Sequence, residues 1–343
     1  MKKIPPVLAL LLAFLCALPM AAQTKILVAK SRVPLKVADD YPGGMAYPTA
    51  CDEQGRLYVK LIEGGPGMVG PLFRLSNNGV VEARFDTSGA VINQYGVRPD
   101  GGVIMAYVGW SSKVIDNFAP DGTRGSSIQL ERPPTPFFPS QLAVFPSGEM
   151  LIAGLQYNPG YKASTAIYDP KGHLVKQLVL DGDAEIERAI EVGDTKDARA
   201  QRENTTAIES SVAITGDDGL VYLMRATSPA VVYAISSAGD VLRKIVVSPP
   251  DGRGSPQFGI RVAKNRLAVQ FRRSCDSAVD SGSCRSSTFA VVDATTGKTL
   301  AAYEADKEVA APIACYAPDP DRFFIFSPSL DQHGLDIVEA EPK

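Results

Sequence analysis

One short pattern returns about every 46 residues, and that recurrence restricts the chain to a fold made of stacked copies of a single unit. The pattern is an apolar strand, a tight turn and a second apolar strand. Its copies run Thr49–Val59, Tyr95–Met105, Leu142–Ile152, Val212–Leu223, Ile260–Val269 and Ile313–Ile325. The turn positions Gly55, Gly101 and Gly148 are 46 and 47 residues apart; the step to Gly219 is 71, and the step from Gly219 to Asn265 is 46 again. A second hairpin follows, as in Leu72–Val81, Ala166–Val175, Val232–Val241 and Phe289–Leu300, with Asn-Gly, Lys-Gly or Ala-Gly at the turn. Each unit therefore reads as four antiparallel strands. Such a sheet cannot bury both faces alone, and radial stacking of neighbours buries them.

Six copies predict an all-β, six-bladed β-propeller over residues 23–343. The competing arrangement, two β-sandwiches, does not account for a constant four-strand period. The last copy has three strands before the chain ends, and the strand-like segment Lys25–Val37 is expected to supply the fourth, closing the ring and pairing an otherwise open edge. The 30 Gly and 26 Pro suit a chain of many turns.

The first turn Pro99-Asp100-Gly101-Gly102, or Pro146-Ser147-Gly148, and the second turn Tyr168-Asp169-Pro170-Lys171-Gly172-His173 carry a likeness to known families. The chain resembles the six-bladed propellers grouped around NHL repeats and the TolB-like set. That resemblance covers about residues 25–343. It implies an architecture and leaves activity open, because one fold hosts many functions. Calcium-dependent lactonases are similar in blade count, but they carry an acidic residue where this chain has Met45-Ala-Tyr-Pro-Thr49.

Residues 1–22 read as a secretory signal peptide: Lys2 and Lys3, the apolar run Val7–Leu18, Pro19, then Ala21-Ala22. The expected location is secreted or periplasmic, with no membrane span. Cysteine usage agrees. Cys275 and Cys284 flank a Ser/Asp/Gly-rich stretch and are expected to pair; Cys51 and Cys315 then pair by elimination, or remain buried thiols. A net charge of −3 leaves no basic surplus for nucleic acid. Residues 181–206 break the repeat between the third and fourth units. Helix formers dominate there, with Asp183 as a cap, and the segment is expected to be an exposed, partly helical excursion.

Propeller geometry puts both hairpin turns of every blade on one face and all remaining connections on the other. The long connections all belong to the second face, where binding residues are expected. Trp110, Tyr157 and Tyr161 can stack on a sugar or peptide there or pack under their own loops, and Arg225, Arg272 and Arg273 can hold a carboxylate or phosphate or pair with acids such as Asp276 and Asp280. Asn93, Gln141, Glu209 and Gln257 lie near the start of the innermost strands, where converging oxygens suit Ca²⁺. Gly65-Pro66-Gly67-Met68-Val69-Gly70 spells a dinucleotide fingerprint, but a strand follows it and Pro66 lacks a donor. With only His173 and His333, a histidine-based catalytic pair is not expected. The leading expectation is a non-catalytic exported propeller that binds a peptide, glycan or protein partner on its long-loop face. The alternative is a Ca²⁺-dependent hydrolase or lyase at the central channel mouth.

Overall fold

The computed structural model describes residues 24–65, 69–87, 92–107, 114–133, 136–157, 160–193, 205–252, 255–272, 287–309, 311–330 and 334–343. The architecture is an all-β propeller of four-stranded antiparallel blades. Four sheets each hold four consecutive strands in simple meander order. The first is β2 (Met45–Cys51), β3 (Leu57–Leu61), β4 (Leu72–Leu75) and β5 (Val81–Phe85). The second is β6 (Ile92–Val97), β7 (Val103–Tyr107), β8 (Val114–Phe118) and β9 (Ile128–Gln129). The third is β10 (Phe137–Val144), β11 (Met150–Gln156), β12 (Lys162–Tyr168) and β13 (Leu174–Leu178). The fourth is β14 (Val212–Thr215), β15 (Val221–Arg225), β16 (Ala230–Ile235) and β17 (Val241–Val247).

The remaining strands are β1 (Lys25–Pro34), β18 (Ser255–Ala263), β19 (Arg266–Arg272), β20 (Ser287–Asp293), β21 (Thr299–Ala305), β22 (Ile313–Ala317), β23 (Arg322–Pro328) and β24 (Leu335–Pro342). They form one eight-stranded sheet in the order β18-β19-β20-β21-β1-β24-β23-β22. β1 pairs antiparallel with β24, from Leu27 opposite Pro342 to Pro34 opposite Asp336. Its first three residues also pair, in parallel, with Tyr303–Ala305 of β21. The antiparallel pairing matches the sequence expectation for this segment; the parallel one was not foreseen.

The first strands adjoin one another in chain order, β2, β6, β10, β14, β18 and β22, and β22 returns to β2. Apolar layers fill the spaces between successive sheets. Tyr58 and Phe85 meet Tyr95 and Phe118, for example, and Tyr222 and Met224 meet Leu267 and Phe271. This stacking explains the burial along each strand. β3, β4, β11 and β15 lie between neighbours on both faces and are buried at nearly every position. The outer strands β5, β13 and β17 show one face to water and carry charge there.

The first turns share a polar device. A turn carboxylate accepts from a tyrosine of the same or a neighbouring sheet and pairs with arginine: Asp52 with Tyr58 and Arg56, Asp218 with Tyr222 and Arg243, Asp321 with Tyr316, Tyr303 and Arg266. Gly101 sits at φ +86° in its turn, and a Cβ there would stand 2.3 Å from Arg56 Nη2. Its carbonyl accepts from Tyr58 and Arg74, so the turn of one sheet is fastened to the sheet before it.

The segment after β13 holds α1 (Asp183–Gly193), with one face packed down and Ala184, Glu185, Arg188, Ala189 and Glu191 exposed. Ile186 and Ile190 are four residues apart and share one helix face. Ile190 is fully buried against Leu155 and Ile208, with Tyr157, Tyr161 and Ile186 around them. Few apolar residues suffice because their spacing concentrates them. Glu187 also accepts a bond from the Ala163 amide at 2.7 Å, covering the start of β12. Among the described residues no helix is long and apolar enough to cross a membrane.

Candidate functional site: an axial cavity and the long-loop face

A cavity of about 620 Å³ opens on the axis, at the ends of the first strands. Every one of β2, β6, β10, β14, β18 and β22 contributes to its wall, and the first turns form its rim. It therefore opens on the face of short turns, opposite the face of long connections. Its size lies within the range of small-molecule sites, about 300–1,000 Å³.

The wall is built from the repeat itself. At the second residue of each copy stand Ala50, Gly96, Ala143, Ala213, Arg261 and Ala314. Of these, Ala50, Gly96, Ala143, Ala213 and Arg261 line the cavity, four small residues and one arginine. Arg261 is 4% exposed and lines the cavity. Its Nε donates to Ala314 O at 2.5 Å, its Nη1 to Ile260 O at 2.6 Å, and its Nη2 to Thr49 O and Ile313 O at 2.7 Å each. All four acceptors are neutral backbone carbonyls of β18, β2 and β22. No carboxylate pairs with it among the described residues. Burial pulls the guanidinium down to about 10. Nearby, Tyr95 donates to Pro48 O at 3.0 Å and Tyr58 O at 3.3 Å, and burial raises its phenol.

The rim carries charge of both signs, with Asp52, Glu53, Asp217 and Asp319 beside Arg98, Lys264 and Arg322. Asp52 pairs with Arg56 at 2.6 Å, Asp217 accepts the Lys264 amide at 2.7 Å, and Arg322 pairs with Glu339 at 3.2 Å. Between rim and floor the wall is apolar, with Leu142, Val144, Ile214 and Val262. A disulfide forms part of the wall: Cys51 of β2 and Cys315 of β22 are joined, Cα–Cα 5.3 Å. That is the pairing expected by elimination. Its expected companion, Cys275–Cys284, lies outside the described residues.

The residues singled out by sequence fall elsewhere. Tyr157 and Tyr161 do come together, ring centroids 5.3 Å apart and edge to face, but they pack under α1. Tyr157 Oη donates to Glu209 Oε1 at 2.8 Å; burial, then that bond, raise its phenol. Gln141 lies beside Glu209. Its Nε2 donates to Ile208 O at 2.8 Å and sits 3.5 Å from Glu209 O, while its Oε1 is buried without a partner among the described residues. Asn93 and Gln257 lie on β6 and β18, with side chains outside the described residues. Arg225 is 1% exposed and committed to the interior: Nε to Asp183 Oδ1 at 3.1 Å, Nη2 to Asp183 Oδ2 at 3.3 Å and to Thr165 at 3.1 Å. It anchors the start of α1. Arg272 ends β19 and is exposed. Trp110 and Arg273 lie outside the described residues. Among the described residues no group of three or more His, Cys, Asp or Glu is placed to hold a metal ion.

Sequence reasoning passed over Arg261. The signal was present as the one charged residue in a column of Ala and Gly, visible only once the copies are aligned at their first residues.

No protein-family model matches this chain, and no curated protein sequence does. Solved structures do match. A member of the DUF4221 family from Bacteroides vulgatus aligns with 94% of this chain and 99% of its own, at 9% identity and a TM-score of 0.57. A candidate exported protein of Bacteroides fragilis aligns with 94% of this chain and 97% of its own, at 9% identity and a TM-score of 0.51. The Dos1 propeller aligns over 86% and 76%, at 12% identity and a TM-score of 0.45. At 9% identity the two Bacteroides likenesses concern the fold, and the fold they share with this chain is the one its strands build: a propeller of antiparallel four-stranded blades.

Proposed function

We propose that this chain is an exported, six-bladed propeller that binds a ligand rather than transforming one, and that the axial cavity is where it binds. Reading the eight-stranded sheet as two blades fused through β1 yields the six units of the repeat. The carrying observation is the cavity of about 620 Å³, walled by the first strand of every unit and opening through the ring of first turns. Its lining has no histidine, and its two cysteines are joined to each other. Export is supported by the leader-like residues 1–22 and by the disulfide. A peptide, glycan or protein partner on the long-loop face is a separate reading that rests on Trp110, Arg272 and Arg273. The expected aromatic pair Tyr157–Tyr161 is occupied by α1 and lends it little.

A thermal-shift screen of small acids, amines, amides and sugars tests the proposal. Ala317 lines the cavity and is half-buried on β22, so Ala317→Trp fills space there. Compounds that raise the melting temperature of the wild type and not of Ala317→Trp support the cavity. Stabilisation that persists in a folded Ala317→Trp protein, or none with any class, sinks the reading.

A further inference from the structure

A buried cation without a counter-charge is costly, and proteins ordinarily pair such a group or neutralise it. Arg261 is 4% exposed, and its partners are four carbonyl oxygens. Those carbonyls orient the guanidinium and carry partial negative charge, but they leave one full positive charge at the cavity wall. A guanidinium has five donor hydrogens. The four bonds take four of them, so one Nη1 hydrogen has no partner among the described residues. Four of the other first strands place small residues in the wall, Ala50, Gly96, Ala143 and Ala213. Asp52 and Arg322 at the rim have their own partners, Arg56 and Glu339, and no carboxylate pairs with Arg261 among the described residues.

We propose that the axial cavity takes a small organic monocarboxylate, with the carboxylate against Arg261 and an apolar body along Leu142, Val144, Ile214 and Val262. The proposal rests on the cavity being the binding site and deepens that reading. A single buried positive charge is neutralised by a monoanion, whereas a dianion such as phosphate would leave a buried negative excess. One free donor hydrogen suits a single charge-assisted bond to one carboxylate oxygen. The apolar wall above it favours a hydrocarbon or aromatic body over a sugar. Rigid anchoring by three strands means that little ordering is needed on binding.

The test is calorimetric titration of the full chain with matched pairs, hexanoate against hexanamide and benzoate against benzamide, with inorganic phosphate alongside. Each pair keeps the body and removes the charge. The expected result is a preference of about tenfold or more for each carboxylate over its amide, since charge-assisted bonds are roughly twice as strong as neutral ones. Arg261→Gln should abolish that preference while leaving amide affinity in place, and Ala317→Trp should abolish both. Equal affinity for acid and amide, both lost in Ala317→Trp, overturns the anion and leaves the cavity standing. Phosphate binding more tightly than hexanoate overturns the monoanion. No binding by any probe, or binding that survives in folded Ala317→Trp, overturns cavity and anion together. Arg261 ties three strands, so Arg261→Gln risks unfolding; in that event the wild-type acid-to-amide ratio and Ala317→Trp decide.

Discussion

Cys51 on β2, the first strand of the opening sheet, is joined to Cys315 on β22, an edge strand of the eight-stranded sheet, across 264 residues of sequence. The bond sits in the cavity wall, beside the carbonyls of Thr49, Ile313 and Ala314 that hold Arg261. One covalent link and one guanidinium thus fasten the same junction, where the chain's two ends meet.

A cross-link closing so long a loop removes much freedom from the unfolded chain, and chain-entropy reasoning assigns about 5 kcal/mol to it, with typical measured effects of about 2–4 kcal/mol. The double variant Cys51→Ser, Cys315→Ser should therefore unfold at clearly lower guanidinium concentration than the oxidised wild type. Matching midpoints under non-reducing conditions would show that the bond contributes nothing.

Arg225 and Asp183 are 1% and 10% exposed and bonded through two oxygens. Removing one partner of a buried pair strands the other charge, at about 3–5 kcal/mol. Arg225→Ala should lower stability by that order and loosen α1, making residues 181–207 the first site of limited proteolysis. Cleavage that begins elsewhere would show that α1 does not depend on this pair.

Gly154 on β11 faces backbone, not a flexible side chain. A Cβ there would stand 2.1 Å from Phe138 O and 2.9 Å from Pro139 Cα. Gly154→Ala must push β10 and β11 apart, where β10 bulges between Pro139 and Gln141. The expected loss is about 1–3 kcal/mol, read from urea unfolding. A neutral effect would mean that the bulge absorbs the methyl.

Lys60 is 3% exposed on β3, and burial lowers its ammonium from 10.5 to about 8. Between those two values the unfolded chain binds the proton that the folded protein has released, so this residue makes stability rise with pH there. Below pH 8 the folded protein holds the ammonium in its charged form. The stability of Lys60→Met minus that of wild type should accordingly fall between pH 8 and 10.5, as read from paired urea titrations. A pH-independent difference would contradict the shift.

Much of the fold was legible because its signals are local. Alternation of apolar residues marks a strand, and Asp-Gly or Asn-Gly marks a turn; both act within a few residues, and both recur with the unit. β1 was legible as well, since an incomplete last copy and a spare strand at the other end call for each other. The site was much less legible. Sequence left open whether Tyr157 and Tyr161 stack on a ligand or pack under loops, because the residues that bury them, Ile190 and Ile208, belong to a segment whose fold depends on docking rather than on repeat spacing. It left Arg225 open between an anion clamp and an acid pair because its partner Asp183 is 42 residues distant.

The sequence by itself determined the repeat, the four-strand unit, the turn chemistry and the closing strand, because each follows from periodicity and short-range backbone preference. The tertiary structure alone decided that the axis is hollow at the first-turn end and that Arg261 has no carboxylate partner among the described residues. A cavity is space enclosed by six strands drawn from the whole chain, and Arg261 meets a carbonyl 212 residues away. Whether a charge is paired depends on what the ring brings beside it, and no local pattern encodes that.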